Sequence, residues 1–522
     1  MTAIITDQFR IFNAENFVDS VNNNSYYVFL GLPNPSLSTK FGRDTDWDSD
    51  PPVPVDNFQY LSHYKDTLLF GKKITSSNNV RRIVRKVTWT ENTRYEMYRH
   101  DYSTTNLAPI SGLPRLYDSN YYVMNSDYRV YICIDNGSSG TNPSGNKSQD
   151  QPTFTDADPS AAGSSNDGYV WKYLFTISPS DIIKFDSTEY IILPNDWDTS
   201  TDSEIERIRD AGNSDIEENQ IKKIYIENAG DGYLSRDEEY TDVDINGDGS
   251  GAKASIKVTD GKIVSARVTF GGKGYTYGIV DLGRLRSGTL QTDAQLIVVI
   301  PPSKGHGYNI YQELGADRVL VYARFDDLTE DTPISTAFSQ IGILKNPKYS
   351  TSDTLFEENQ FSSLYAIKLT SVSQTPIIGE QIRQVRPSDE KIAKGYVASY
   401  DATTKVLKYF RDRSLYFSNG VDETDDKDIS SDSEVLDFES SDQVANNIQF
   451  VSSSFNAPID TSFSENKVTV NGKIIDLGVT FNAGLASPEI NKKTGDIIYI
   501  DNRPLVTRNL RQKEDVKIIL EF

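Results

Sequence analysis

Along most of this 522-residue chain the apolar positions recur two apart, the period of a β-strand, and only briefly three or four apart. Tyr169, Trp171, Tyr173, Phe175 and Ile177 alternate onto one face of an extended segment, while Val170 and Leu174 make the other face partly apolar. Asn166, Asp167 and Gly168 supply a turn before this run, and Pro179 with Asp181 closes it. The pattern predicts a strand buried on both sides; a platform for stacking ligands is the competing reading. Aromatic side chains bury large areas and dominate cores, which favours the strand.

The same alternation predicts strands in "YYVFLG" (26–31), "EYIILP" (189–194), "RVLVYARF" and "QIGILKNP". In "NYYVMNSDYRVYICID" two apolar arms flank Asn125, Ser126 and Asp127, the signature of a hairpin. "GYVASYD-ATT-KVLKYF" has the same design, as does "KVTVNGKIIDLGVTF" across Asn471 and Gly472. Helical spacing is confined to three places. Asn13 is placed to cap a helix carrying Phe17, Val18 and Val21. Asp56 opens a second, with Phe58, Leu61, Lys65, Leu68 and Leu69 running to Gly71. The third is "DSEIERIRDAG" (202–212). Pro51, Pro52 and Pro54 predict an extended surface connection, and the Gly/Ser/Asn/Pro-rich stretch 136–168 a long mobile loop.

Three copies of a Gly-x-Gly-Tyr element follow: 230–233, 272–275 and 305–308. Glycine enters positive φ without strain, so these read as corners of a β module; a phosphate cradle would need a following helix and lysine, which none has. Between the first two, Asp242, Asp244, Asn246 and Gly247 hold positions one, three, five and six of a calcium loop. Position twelve is Lys253 where a bidentate glutamate is needed, so a Gly-rich hairpin turn is the expectation.

Composition narrows the function. Hydrophobic residues make up 37% and aromatics 11%, with 30 Tyr, which favours sheets. A net charge of −22 opposes binding to a phosphate backbone, so nucleic acid is not an expected partner. Arg81, Arg82, Arg85 and Lys86 form the one basic cluster and read as the polar side of a strand or short helix. Cys133 is the sole cysteine, which excludes an intrachain disulfide. With His63, His100 and His306 it makes no zinc set, and the chain suits a reducing cytosol. No leader and no apolar run of spanning length is evident, so neither export nor a membrane is expected. Val421 to Asp442 is dense in Asp and Glu with a single lysine, which reads as a solvated, repelling linker, against a specific acidic contact or ion site.

"DGYVWKYLFTI", "EYIILP", "IGILKNP", "GDIIYIDNRP" and "EDVKIILEF", with "FRIFNAENF", "WDSDPPVPVD" and "TRYEMY" in order before them, resemble the baseplate wedge subunit of T4-like contractile-tailed phages, the gene product eight family. The resemblance implies a dimeric, mainly β scaffold that contacts other wedge proteins, assembled in the host cytoplasm and carried in the tail baseplate of the virion. It implies no catalytic residue, cofactor, metal or small-molecule substrate. The chain is longer than the family member, and the excess suggests a division into a wedge core (1–214), an inserted Gly-turn module (215–303), a return to the core (304–351), a barrel-like insertion with the acidic tract (352–485) and C-terminal strands (486–522). The expected class is therefore mainly β (α+β), antiparallel sandwich or barrel modules with a few short helices. Trp47, Trp89 and Arg503 are candidate interface anchors, against local packing. A host-receptor or glycan-binding tail protein and a tail-associated hydrolase are the alternative functions.

Overall fold

A computed structural model describes residues 6–33, 46–211, 219–236, 238–287, 291–326, 336–385, 392–411, 438–440, 447–508 and 512–522, apart from the side chains of Gln59 and His63. Strands take 41% of the chain and helices 12%, in several antiparallel sheets, as the two-residue period predicts. The fold divides into two compact units. One comprises Met1–Val18, Val80–Leu320 and Ile519–Phe522; the other comprises Asp19–Asn79 and Val321–Ile518.

In the first unit the expected hairpin forms: Tyr122–Met124 pairs with Arg129–Asn136, and Tyr169–Thr176 completes a three-stranded sheet. Trp171 lies opposite Cys133 and Tyr173 opposite Tyr131. Tyr169, Trp171, Tyr173 and Phe175 are all buried, with Trp171 stacked on Tyr169 at 5.4 Å and edge-on to Tyr95 at 5.7 Å. The run is a core strand, and the ligand platform falls away. The loop expected to be mobile at 136–168 is instead held at many points. Tyr131 donates to the Phe154 carbonyl at 2.7 Å and Tyr169 to that of Asn146 at 2.8 Å. Asp150 accepts from the Ser164 and Ser165 amides, Asp167 accepts from Gln149, and Ser160 bridges Trp171. Composition underestimates this loop because its short polar side chains replace a core with backbone hydrogen bonds.

The helices also depart from expectation at their ends. Asn13 lies inside the helix Asp7–Asn23, which starts earlier because Thr6 receives the Phe9 amide on its hydroxyl and Asp7 fills the first turn. The second helix is only Phe58–Asp66, capped by Asn57 instead of Asp56. Leu68 and Leu69 belong to the strand Leu68–Ile74, buried in the second unit between Tyr26–Gly31 and Gln360–Ser362. Gly71 ends no helix. It sits opposite Phe361, whose ring occupies the space a Cβ would need. The third helix, Ser203–Arg209, starts from Asp202 as the pattern predicts.

The second unit holds two larger sheets. Gln360–Ser362, Leu68–Ile74, Tyr26–Gly31, Ala337–Lys345 and Asp496–Thr507 form one, in that order. The other has seven strands and includes the hairpin Ile392–Asp401 with Val406–Phe410 over a core of Ile367, Val397, Leu407 and Phe450. Lys467–Val470 and Lys473–Asp476 turn at Asn471 and Gly472, both at positive φ, as their sequence predicts.

Removing the ring of Trp171 by Trp171→Ala should cost about 3 to 5 kcal/mol as a core cavity, read by denaturant unfolding. Its indole nitrogen is buried without a hydrogen-bond partner, so Trp171→Phe should cost less. A second test uses pH. His100 Nδ1 accepts the Ile300 N–H at 3.2 Å, and burial pushes the ring pKa below its ordinary 6.5. The unfolded chain takes that proton first, so this stabilisation is complete above pH 6.5 and is lost as pH falls below it. The drop in melting temperature between pH 7 and pH 5, measured by calorimetry, should be shallower in His100→Asn.

Candidate functional site

Cys133 and His306 are both occupied internally. Cys133 is fully buried, donates to the Asp135 carbonyl, and burial pushes its thiol pKa well up, the reverse of an activated nucleophile. His306 Nδ1 lies 2.5 Å from Glu313 Oε1, whose other oxygen accepts the Gly307 amide, and the ring meets Tyr98 edge-on at 4.8 Å. His63 has no described side chain. The basic cluster is consumed by neighbours, on and just past the strand Val80–Arg85. Arg81 pairs with Asp181 at 2.9 Å and Arg82 lies over the Tyr311 ring. Arg85 donates to Asn120 Oδ1 and to the Asp118 and Ser119 carbonyls, and Lys86 donates to that of Ser187.

Asp242 to Gly247 lie in the strand Tyr240–Gly247, which turns back into Lys253–Thr259 as a hairpin. Asp244 is paired with Lys253, the residue at position twelve of the would-be loop. A neighbouring acid, Asp248, accepts from Thr276 Oγ1 and from the Thr276 and Tyr277 amides, which lower its pKa to about 2. A cleft lined by Asp158, Lys172, Gln220, Lys222 and His306 has a volume of about 30 Å³, room for a water and not for a sugar. Among the described residues no helix is long and apolar enough to cross a membrane.

The proline segment gives a more specific arrangement. It runs beside Asp496–Thr507, the edge strand of the five-stranded sheet. Pro51, Pro52 and Pro54 lack the N–H groups that strand pairing needs. Side chains and one carbonyl make the contact instead. The buried indole of Trp47 donates to the Arg503 carbonyl at 2.8 Å, Asp48 Oδ1 accepts the Leu505 amide at 3.0 Å, and Asn502 donates to the Pro52 carbonyl at 2.7 Å. Two of the three candidate anchors, Trp47 and Arg503, thus meet each other, and for Trp47 local packing is the outcome. Trp89 is half-buried and donates to Ser148 Oγ at 3.0 Å. The Arg503 side chain points to solvent beside Asp501. What the segment displays is Val53 and Phe58, 86% and 85% exposed, with Val55 between them. Sequence reasoning missed Val53, whose signal was an apolar residue among prolines, and set Phe58 on the apolar spacing of the second helix, where it instead faces solvent at the first position. Most of the acidic tract 421–442 lies outside the described residues.

A family model described as Phage-Gp8, "Bacteriophage T4, Gp8", matches residues 132–231. The matched span includes most of the central hairpin strand Arg129–Asn136, the stapled loop, the aromatic strand and the strand Lys223–Asn228. No curated protein matches the chain.

Trp47→Ala should lower stability by about 3 kcal/mol, because it opens a cavity and leaves the Arg503 carbonyl without its donor. Phe58→Ser should change the free energy of unfolding by no more than about 0.5 kcal/mol. If Phe58 serves an interface, the same substitution should weaken co-purification with neighbouring tail proteins.

Proposed function

We propose that this chain is a structural wedge subunit of a contractile phage tail baseplate, holding neighbouring wedge proteins in place and rearranging with them when the tail contracts. The observation that carries the reading is the match to the phage T4 Gp8 family over 132–231, which includes the buried aromatic strand Tyr169–Thr176 of the first unit. That match supports a baseplate structural role and a place in the virion tail. The wedge position, a homodimeric state, assembly in the host cytoplasm and the identity of the neighbours are the further steps of the proposal. In the same reading, 215–303 and 352–485 are modules inserted into a core made of 1–214, 304–351 and 486–522.

Physical features support scaffolding over chemistry. Cys133 and His306 are engaged in internal hydrogen bonds, and the aromatic rings that would stack on sugars at 169–175 are buried. Rigid sheets edged by a segment with exposed Val53 and Phe58 offer a surface of the kind that partner proteins cover.

Light scattering on the purified chain should report a dimer. A pull-down against the other tail proteins of the same virus should retain wedge components selectively. Clearing of host peptidoglycan by the purified chain, lost on changing one carboxylate, would count for the hydrolase instead.

A further inference from the structure

The first two Gly-x-Gly-Tyr turns belong to something larger. Tyr275 follows Tyr233, and Ala294 follows Ala252, by the same 42 positions, and this offset carries one half of the module onto the other. Each half has a leading strand, a Gly-x-Gly-Tyr turn and a trailing strand. The leading strands are Lys223–Asn228 and Lys262–Phe270; the trailing strands are Lys253–Thr259 and Gln295–Val299.

The pairing is crossed. The leading strand of the first half takes the trailing strand of the second, and the reverse holds for the other two. Details repeat at equivalent residues. Gln295 faces Asn228 and the register then slips by a bulge to Leu296 and Ile226; Lys253 faces Phe270 and slips at the same place to Ala254 and Val268. The Asp231 amide donates to the Thr292 carbonyl, and that of Lys273 to Ser250, each at 3.0 Å. Ile221 donates to the Gly271 carbonyl and Ile263 to that of Ala229, again each at 3.0 Å.

The tyrosines act as clamps across the exchange. Tyr233 accepts the Ala294 amide on its hydroxyl at 2.8 Å, and Tyr275 accepts that of Ala252 at 3.1 Å. Each ring covers the first glycine of its own turn. A Cβ at Gly230 would strike Tyr233 and Ala294, and one at Gly272 would strike Tyr275 and Ala252. The third turn lacks this arrangement: Tyr308 receives Lys304 Nζ, not a strand amide. The core also divides into matched positions, such as Val243 with Leu285, Ile256 with Val298 and Val258 with Ile300.

We infer that residues 221–259 and 263–301 are two copies of one self-associating unit, and that each copy carries a strand-binding groove whose ligand is the trailing strand of the other. The groove is a leading strand ending in a tyrosine clamp. Its ligand is an extended segment that opens on an alanine N–H and sets apolar side chains two, four and six positions later. In this chain two such grooves close on each other, so the module is a dimer built into one polypeptide.

Hydrogen exchange read by mass spectrometry on the full chain tests this. Tyr233→Phe keeps the ring and removes only the acceptor. It should speed exchange in 294–299 about fivefold, the factor that one net hydrogen bond carries, and leave 252–259 at wild-type rates. Tyr275→Phe, which also removes the bond that this hydroxyl donates to the Ile245 carbonyl at 3.0 Å, should do the reverse, speeding exchange in 252–257 and leaving 294–299 at wild-type rates. A graft tests whether the grooves are interchangeable: residues 295–299 changed to the sequence of 253–257 should keep the Ala294 amide protected, and the same five residues in the order Ala-Lys-Ile-Lys-Ser, which puts lysines at 296 and 298, should not. The inference fails if either tyrosine variant loosens the trailing strand of its own copy, if neither changes any rate, or if the graft and its reordered control exchange alike.

Discussion

A tyrosine ring fills a core while its hydroxyl reaches past it to a backbone carbonyl, and this fold depends on that double use. Tyr131 holds Phe154, Tyr169 holds Asn146, Tyr121 holds Glu313 and Tyr311 holds Pro194; in the second unit Tyr27 holds both Phe356 and Glu358. Long connections have backbone groups that need partners and little apolar surface of their own. A phenol supplies the partner from inside, where the ring is already fixed by packing. Desolvation raises the pKa of these hydroxyls, Tyr131 to about 12, so they stay protonated donors across the physiological range. The abundance of tyrosine in the composition thus has a structural cause.

Strand positions were legible because alternation reports burial directly. The hairpins at 125–127 and 471–472 announced themselves through their turn residues; positive φ falls on Asn471 and Gly472 in the second, but on Tyr128, just past the polar triplet, in the first. Failures came where a local signal had two physical meanings. Leu68, Leu69 and Gly71 continue a helical spacing, yet the leucines fill a strand and the glycine makes room for Phe361. The same device recurs at Gly342, which gives way to the ring of Phe29 across the sheet. No local window contains the phenylalanine that explains either glycine. The crossed pairing of the Gly-turn module was hidden for a similar reason: a repeat in sequence does not say which copy supplies the partner strand.

The candidate surface was half legible. The proline segment was expected to be extended and exposed, and Trp47 to matter, but its contact with Arg503 spans most of the chain length. Register there is set by polar groups. Gln340 donates to Asn502 at 2.7 Å and accepts from Thr67, and Asn502 in turn donates to Pro52, tying the edge strand, its neighbour and the proline segment into one buried network. Such a network tolerates little slippage, since each broken bond leaves a polar group without water.

Cys133 lies sealed in the central sheet, and the sequence has no second thiol. A cysteine introduced anywhere on the outside would therefore be the single site open to a maleimide label. Fluorophores or spin probes placed one at a time could follow the polypeptide in solution, with the native residue left in place.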